Sequence, residues 1–150
     1  MDSLTRAPRY PWLLFDVDDT LFDYHTAEAE ALSGVFAHFE LPFLPSYPRL
    51  YAGINHAYWQ RFEAGTISLA DLRTSRFQDL LAELNIPMDA ILFSQVYLKK
   101  LGQSAVLLPG VLETLTRLAP AHKMAVITNG ISEVQRSRLA FITANHGRLT

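Results

Sequence analysis

LLFDVDDTLF, residues 13 to 22, decides how the rest of the chain is read. An apolar run drives into three aspartates, Asp16, Asp18 and Asp19, and returns at once to Leu21 and Phe22. Carboxylates this close repel one another and resist burial, so something must compensate them, and a cation and a reaction are the readiest agents. The stretch from Trp12 to Val17 lacks alternation, which predicts a strand buried on both faces, as in a parallel sheet. Asp16 and Asp18 then lie at its C-terminal end, on one side of the extended backbone. Ligands of open parallel sheets bind at that edge. Two carboxylates there can share a hard cation such as Mg²⁺. They can also divide labour, one attacking as a nucleophile and the other working as acid and then base. Three plainer readings compete. A calcium loop of the EF-hand type fails, because Leu21 stands where that loop needs Gly and Ala27 where it needs Glu. A helix cap at Asp19 or Thr20 explains neither the strand before it nor the 16/18 pair. A chance acidic turn fits poorly with the apolar flanks.

A second strand is predicted over Met124 to Thr128, after a helix from Val111 to Leu118 that Pro109 and Gly110 open. Thr128-Asn129-Gly130 ends this strand at the equivalent edge, before a helix from Ser132 to about Ala140. A hydroxyl beside backbone N–H groups at a helix N-terminus suits phosphate, although such a tripeptide alone is a plain turn. Between the strands the periodicity is helical only. One stripe is Leu32, Val35, Phe36 and Phe39, and a second is Leu50, Ile54, Tyr58 and Phe62. Ser68 and Asp71 have capping-box spacing ahead of a third, and Pro87 separates a fourth helix from Met88 to Leu101. The layout is therefore α/β, with residues 1–22 and 105–150 forming the sheet-bearing part and residues 23–104 a helical insertion.

Composition narrows the function. The chain has 150 residues, a net charge of −2 and no basic cluster, which argues against binding polymeric nucleic acid. No apolar run approaches the roughly 20 residues of a membrane span. The absence of cysteine excludes disulfides and thiolate metal sites and fits a cytoplasmic protein. The pattern specifies no oligomeric state.

DVDDT at 16–20 resembles the first motif of the haloacid dehalogenase-like (HAD) hydrolase superfamily, and ITNG at 127–130 resembles its second. The helical insertion is similar to that family's α-helical cap on a Rossmann-like core. Asn55, Tyr58, Trp59, Phe62, Glu63, Gly65, Arg76 and Phe77, with LLPGVLETLTRLA and TNGISEVQRSRLA, resemble the subgroup of pyrimidine and non-standard nucleoside 5′-monophosphate phosphatases. The resemblance implies that Asp16 attacks phosphorus to give an aspartyl-phosphate and that Asp18 is the general acid and base. It implies Mg²⁺ bound by the Asp16 carboxylate and the Asp18 main-chain carbonyl. It gives Thr128 the phosphoryl oxygens, with backbone N–H groups near Asp19 and Asn129, and makes Phe22 to His25 a flexible turn that senses cap closure. The implied partner is a small phosphorylated metabolite, a nucleoside monophosphate first and a sugar phosphate as the rival. Asn55, Trp59 and Arg76 are candidate substrate contacts in the cap; for Trp59 cap packing is an equal reading, and for Asn55 and Arg76 a solvated helix face. The five histidines are scattered without metal-ligand spacing.

Two further motifs of the family, a lysine beyond the second strand and a later acidic pair, have no counterpart in these residues. Lys123 precedes the second strand and belongs at the opposite sheet edge; Arg136 and Arg138 are expected to face solvent. Setting aside the helical block leaves about 70 residues, a small unit for a core of its own, so an N-terminal portion of a longer hydrolase, or a catalytically impaired remnant, is the expectation. The 150-residue chain is accordingly expected to bind Mg²⁺ weakly and turn over slowly. Vigorous phosphate release by the purified chain, abolished by EDTA, overturns that expectation.

Overall fold

The computed structural model describes residues 8–146, and the chain divides into two compact units. The first contains the residues up to Ala27 and from Ala105 onward. In it, β1 (Trp12–Phe15) pairs in parallel with β2 (Lys123–Val126), Trp12 opposite Lys123 and Phe15 opposite Val126. The pairing continues through Ile127 N–H, which donates to Phe15 O at 2.9 Å. Phe15, Val17 and Met124 point into a core with Phe22, Val111, Leu115 and Leu139. Alternation turns Trp12 and Leu14 the other way, where they are 56% and 61% exposed. The expectation of a strand buried on both faces is thus corrected: β1 is covered on one face only among the described residues.

Beyond β1 the chain turns tightly. Leu21 and Phe22 both donate backbone N–H groups to Val17 O, at 2.9 and 3.0 Å, and Asp19 N–H returns to Phe22 O at 2.8 Å. Asp19 takes the left-handed conformation (φ 58), which Asp tolerates better than most residues. The flexible turn expected at 22–25 is instead pinned. Phe22 is fully buried and bridges to Leu107, and Asp23 caps the next helix by accepting from Thr26 N at 3.0 Å and Thr26 Oγ1 at 2.7 Å.

That helix, α1 (Tyr24–His38), runs from the first unit into the second, which spans Glu28–Ser104 and adds α2 (Tyr47–Glu63), α3 (Leu69–Glu83) and α4 (Ala90–Gln103). Its centre is aromatic: Tyr51 stacks on Phe77 at 5.4 Å, and Tyr97 and Phe93 meet Phe77 at 4.9 and 5.4 Å. The buried stripe of α2 is Tyr51, Asn55 and Tyr58, one position round from the Leu50/Ile54 reading. Leu50 and Ile54 line a shallow outer groove instead. The shift follows from one polar residue, Asn55, with two buried partners. Asn55 Oδ1 accepts from Arg76 at 2.6 Å, and Asn55 Nδ2 donates to Glu28. In the first unit, α5 (Val111–Leu118) starts after Gly110, whose φ of 80 needs glycine, and α6 (Ser132–His146) follows β2. No helix among the described residues is long and apolar enough to cross a membrane.

The capping box of α3 is complete. Asp71 N donates to Ser68 Oγ at 3.1 Å and Ser68 N to Asp71 Oδ2 at 2.9 Å. Hydrogen bonds from the Ser68 side chain and backbone hold the Asp71 carboxyl below the usual carboxylate range. A depressed value means that the ionised carboxylate's support is complete above the unfolded range and lost as pH falls through the lower folded value. Ser68→Ala is expected to cost about 1 kcal/mol at neutral pH. The gap to the parent should narrow in acid, and urea unfolding at both pH values checks this.

Candidate functional site

The turn after β1 and the start of α6 bring the sequence-predicted residues Asp18 and Thr128 together. On α6 and the turn before it, Ile131, Val134, Gln135 and Arg138 recur at helical spacing and are all buried. Two of these four inward positions are polar, and both turn to Asp18. Gln135 Nε2 donates to Asp18 Oδ2 at 2.6 Å, and the Arg138 guanidinium pairs with Asp18 Oδ1. Gln135 Nε2 also donates to Thr128 Oγ1 at 3.1 Å. The Arg138 guanidinium lies 4.3 Å from the Phe22 ring centre. Arg138 is 0% exposed, so its expected solvent-facing place is corrected, while Arg136 is exposed as anticipated. The physical reason is the pairing itself: a guanidinium enters a core when a carboxylate and an aromatic face compensate the lost water.

Asp16 stands at the end of β1, exposed, and its nearest side-chain partner is Thr20 Oγ1 at a long 3.5 Å. Among the described residues no cation pairs with its carboxylate. The Asp18 carboxylate is engaged by Gln135 and Arg138 of α6, which leaves the main-chain carbonyl as the donor that the resemblance assigns to Asp18. One exposed carboxylate, one carbonyl and water make a hard-oxygen donor set of the kind Mg²⁺ accepts. No group of three His, Cys, Asp or Glu side chains gathers among the described residues. The Asp19 N–H, expected among the phosphate donors, is already committed to Phe22 O, and its carboxylate accepts from Tyr24 N at 3.2 Å. His25 Nε2 lies 3.6 Å from Asp19 Oδ2. Asn129 is exposed beside Thr128. Gly130 N–H donates to Thr128 Oγ1 at 3.1 Å. Lys123 begins β2 at the far edge, 5.4 Å from the Trp12 ring, as its sequence position required.

In the helical unit the other candidates part company. Asn55 and Arg76 are 3% and 1% exposed, which removes the solvated-face reading for both. Arg76 lies 5.0 Å from the Phe77 ring and 5.7 Å from Tyr97. Trp59 is half-buried and meets Phe62 edge-on at 5.8 Å. Sequence reasoning missed Gln135 and Arg138, although Ile131 and Val134 mark the inward face on which both fall.

Residues 13–146 match the family described as haloacid dehalogenase-like hydrolase. The chain is 34% identical over 131 residues to YfnB of Bacillus subtilis, named as a HAD-hydrolase, covering 87% of this chain and 56% of that protein. It is 32% identical over 132 residues to the pyrimidine 5′-nucleotidase PynA of Streptococcus pneumoniae and 25% over 131 residues to the pyrimidine 5′-nucleotidase YjjG of Escherichia coli, with the same coverage. The crystal structure of YfnB bound to magnesium superposes with a TM-score of 0.82, over 89% of this chain and 58% of that one. The chain spans just over half the length of these relatives.

The Asp18–Arg138 pair is asymmetric in its burial, with side chains 28% and 1% exposed. Truncating Asp18 strands a guanidinium in the core, whereas truncating Arg138 leaves a carboxylate that still reaches water. Asp18→Ala is expected to destabilise by about 3–5 kcal/mol and Arg138→Met by less, an order that denaturant unfolding of the two variants checks.

Proposed function

Because the chain belongs to the haloacid dehalogenase-like hydrolase family, we propose that it is the catalytic half of a phosphomonoester hydrolase working through Asp16, on a cytoplasmic nucleoside 5′-monophosphate. On this reading the sheet unit is the core that does the chemistry, and the helical insertion is the cap that selects the substrate. The observation that carries it is the convergence of Asp18 and Thr128, from the ends of two parallel strands, on one Gln135 amide, beside an exposed Asp16.

The steps follow from what each group can do. The Asp16 carboxylate attacks phosphorus in line, forming an aspartyl-phosphate as the bond to the leaving oxygen breaks. Asp18 takes a proton from solvent as substrate binds, gives it to that leaving oxygen, then takes one from the water that attacks the acyl-phosphate, loses it again to solvent and returns as a carboxylate to Arg138 and Gln135 as phosphate departs. Thr128 donates its hydroxyl proton to a phosphoryl oxygen, and backbone N–H groups by Asn129 add donors at the start of α6. The Asp16 carboxylate and the Asp18 carbonyl are the residues that would hold Mg²⁺, which supplies charge neutralisation when bound. The second carboxylate favours phosphorus over carbon as the target, since leaving oxygens need a proton. Support for the nucleotide substrate comes from PynA and YjjG, both named pyrimidine 5′-nucleotidases.

Phosphate release from UMP, CMP, dUMP and a panel of sugar phosphates, with Mg²⁺ or EDTA, by a protein extended to the full length of its relatives tests the proposal. The expected result is metal-dependent release that prefers pyrimidine monophosphates and falls by about 10⁴-fold or more in Asp16→Asn. An Asp16→Asn protein that cleaves at the parent rate defeats it, and a preference for sugar phosphates transfers the substrate assignment to that class.

A further inference from the structure

Resting on that reading of the site, we infer that Gln135 is a positioning residue that aims the Thr128 hydroxyl proton at the phosphoryl group and holds the Asp18 carboxyl beside it. A threonine hydroxyl has one proton to give and two lone pairs to receive. Both acceptor sites of Thr128 Oγ1 are taken, one by Gly130 N–H at 3.1 Å and the other by Gln135 Nε2–H at 3.1 Å. The proton is therefore left with the remaining direction, away from the protein donors. A hydroxyl that would otherwise rotate among partners becomes a fixed donor.

Gln135 is itself fixed. Its Oε1 accepts from Arg138 at 3.2 Å while its Nε2 donates to Asp18 Oδ2 at 2.6 Å. The reverse amide orientation would set an oxygen against a carboxylate and an NH₂ against a guanidinium, so the network permits only one. Arg138 also takes Asp18 Oδ1, so both carboxylate oxygens are held from one helix. The close approach depends on Gly130. A Cβ there would fall 2.4 Å from Gln135 Nε2 and 3.0 Å from its Cδ, inside any allowed contact. The backbone of Gly130 is not left-handed, so what the site needs from it is space. Gln135 is 4% exposed and has no reason to be polar at an inward helical position other than these partners.

The test is a double-mutant cycle in the full protein. Gln135→Met keeps length and removes both donors. It is expected to lower kcat by about 10- to 100-fold with little change in KM. In a Thr128→Val background the same substitution should cost far less, because the group it acts through is gone. Gly130→Ala, which displaces the amide without altering Gln135, should reproduce the loss and covers the case in which Gln135→Met fails to fold. Additive losses, or an unchanged kcat in Gln135→Met or Gly130→Ala, overturn the inference. Should the parent release no phosphate, the function proposed above fails and the positioning claim is decided by NMR: the Gln135 side-chain amide signals are expected to move in both Thr128→Val and Asp18→Asn. Signals that stay in place in both variants overturn it.

Discussion

A single buried ion pair, Arg138 to Asp18, organises the sheet unit. Its two residues are 120 positions apart, and the guanidinium is wholly removed from water. Such burial costs several kcal/mol unless a partner charge and further hydrogen bonds offset it. Here the offset comes from the Asp18 carboxylate, the Gln135 carbonyl oxygen and the Phe22 ring. Each of these belongs to a different part of the unit. Asp18 lies in the turn after β1, Phe22 in its apolar core, and Gln135 one turn back on α6. The pair therefore fixes how α6 lies against the aspartate turn, and with it where the Asp18 carboxyl points. On the function proposed above, stability and chemistry draw on the same contact.

The helical unit uses a related device. Arg76 is buried between Phe77 and Tyr97 and donates to Asn55, which in turn donates to Glu28. Apolar faces of helices can slide past one another at small cost, but a hydrogen-bonded charge network tolerates one alignment. The network links α1, α2 and α3, and it dictates which face of α2 turns inward. The fold is α/β, part of a Rossmann-like HAD core interrupted by a helical cap, and each part is tied by one buried arginine.

The features legible in the sequence are those set by local chemistry. DVDDT after an apolar run, the Ser68/Asp71 box and the limits of α5 all rest on neighbours within a few residues, and all are found. What escaped was set by distant partners. Arg138 reads as surface because charge usually is surface, and nothing near it in sequence reveals a carboxylate at position 18. Asn55 and Tyr51 lost the inward stripe of α2 to Leu50 and Ile54 for the same reason, since apolar periodicity ignores a polar residue whose partners are elsewhere. The start of α1 is held by two carboxylates, Asp23 accepting from Thr26 N and Asp19 from Tyr24 N, after the backbone closes a turn on Val17 O. Trp12 and Leu14 read as covered in the sequence and are exposed, since an apolar strand carries no mark of which face is bare.

The parallel pairing of Trp12 with Lys123 also sets an order of events as the protein is made. β1 leaves the ribosome before the helical insertion, yet its only strand partner among the described residues is β2, which emerges after every helix of residues 28–104. Those helices pack in sequence, α2 on α3 and α3 on α4, through contacts of short range that form quickly. The nascent chain can thus complete its insertion while the aspartate turn still has no Arg138 to receive it. A prefolded insertion also shortens the stretch of flexible chain that must be closed to join the strands, which lowers the entropy lost when they meet. The aspartate turn is thus made before the helical insertion and completed after it.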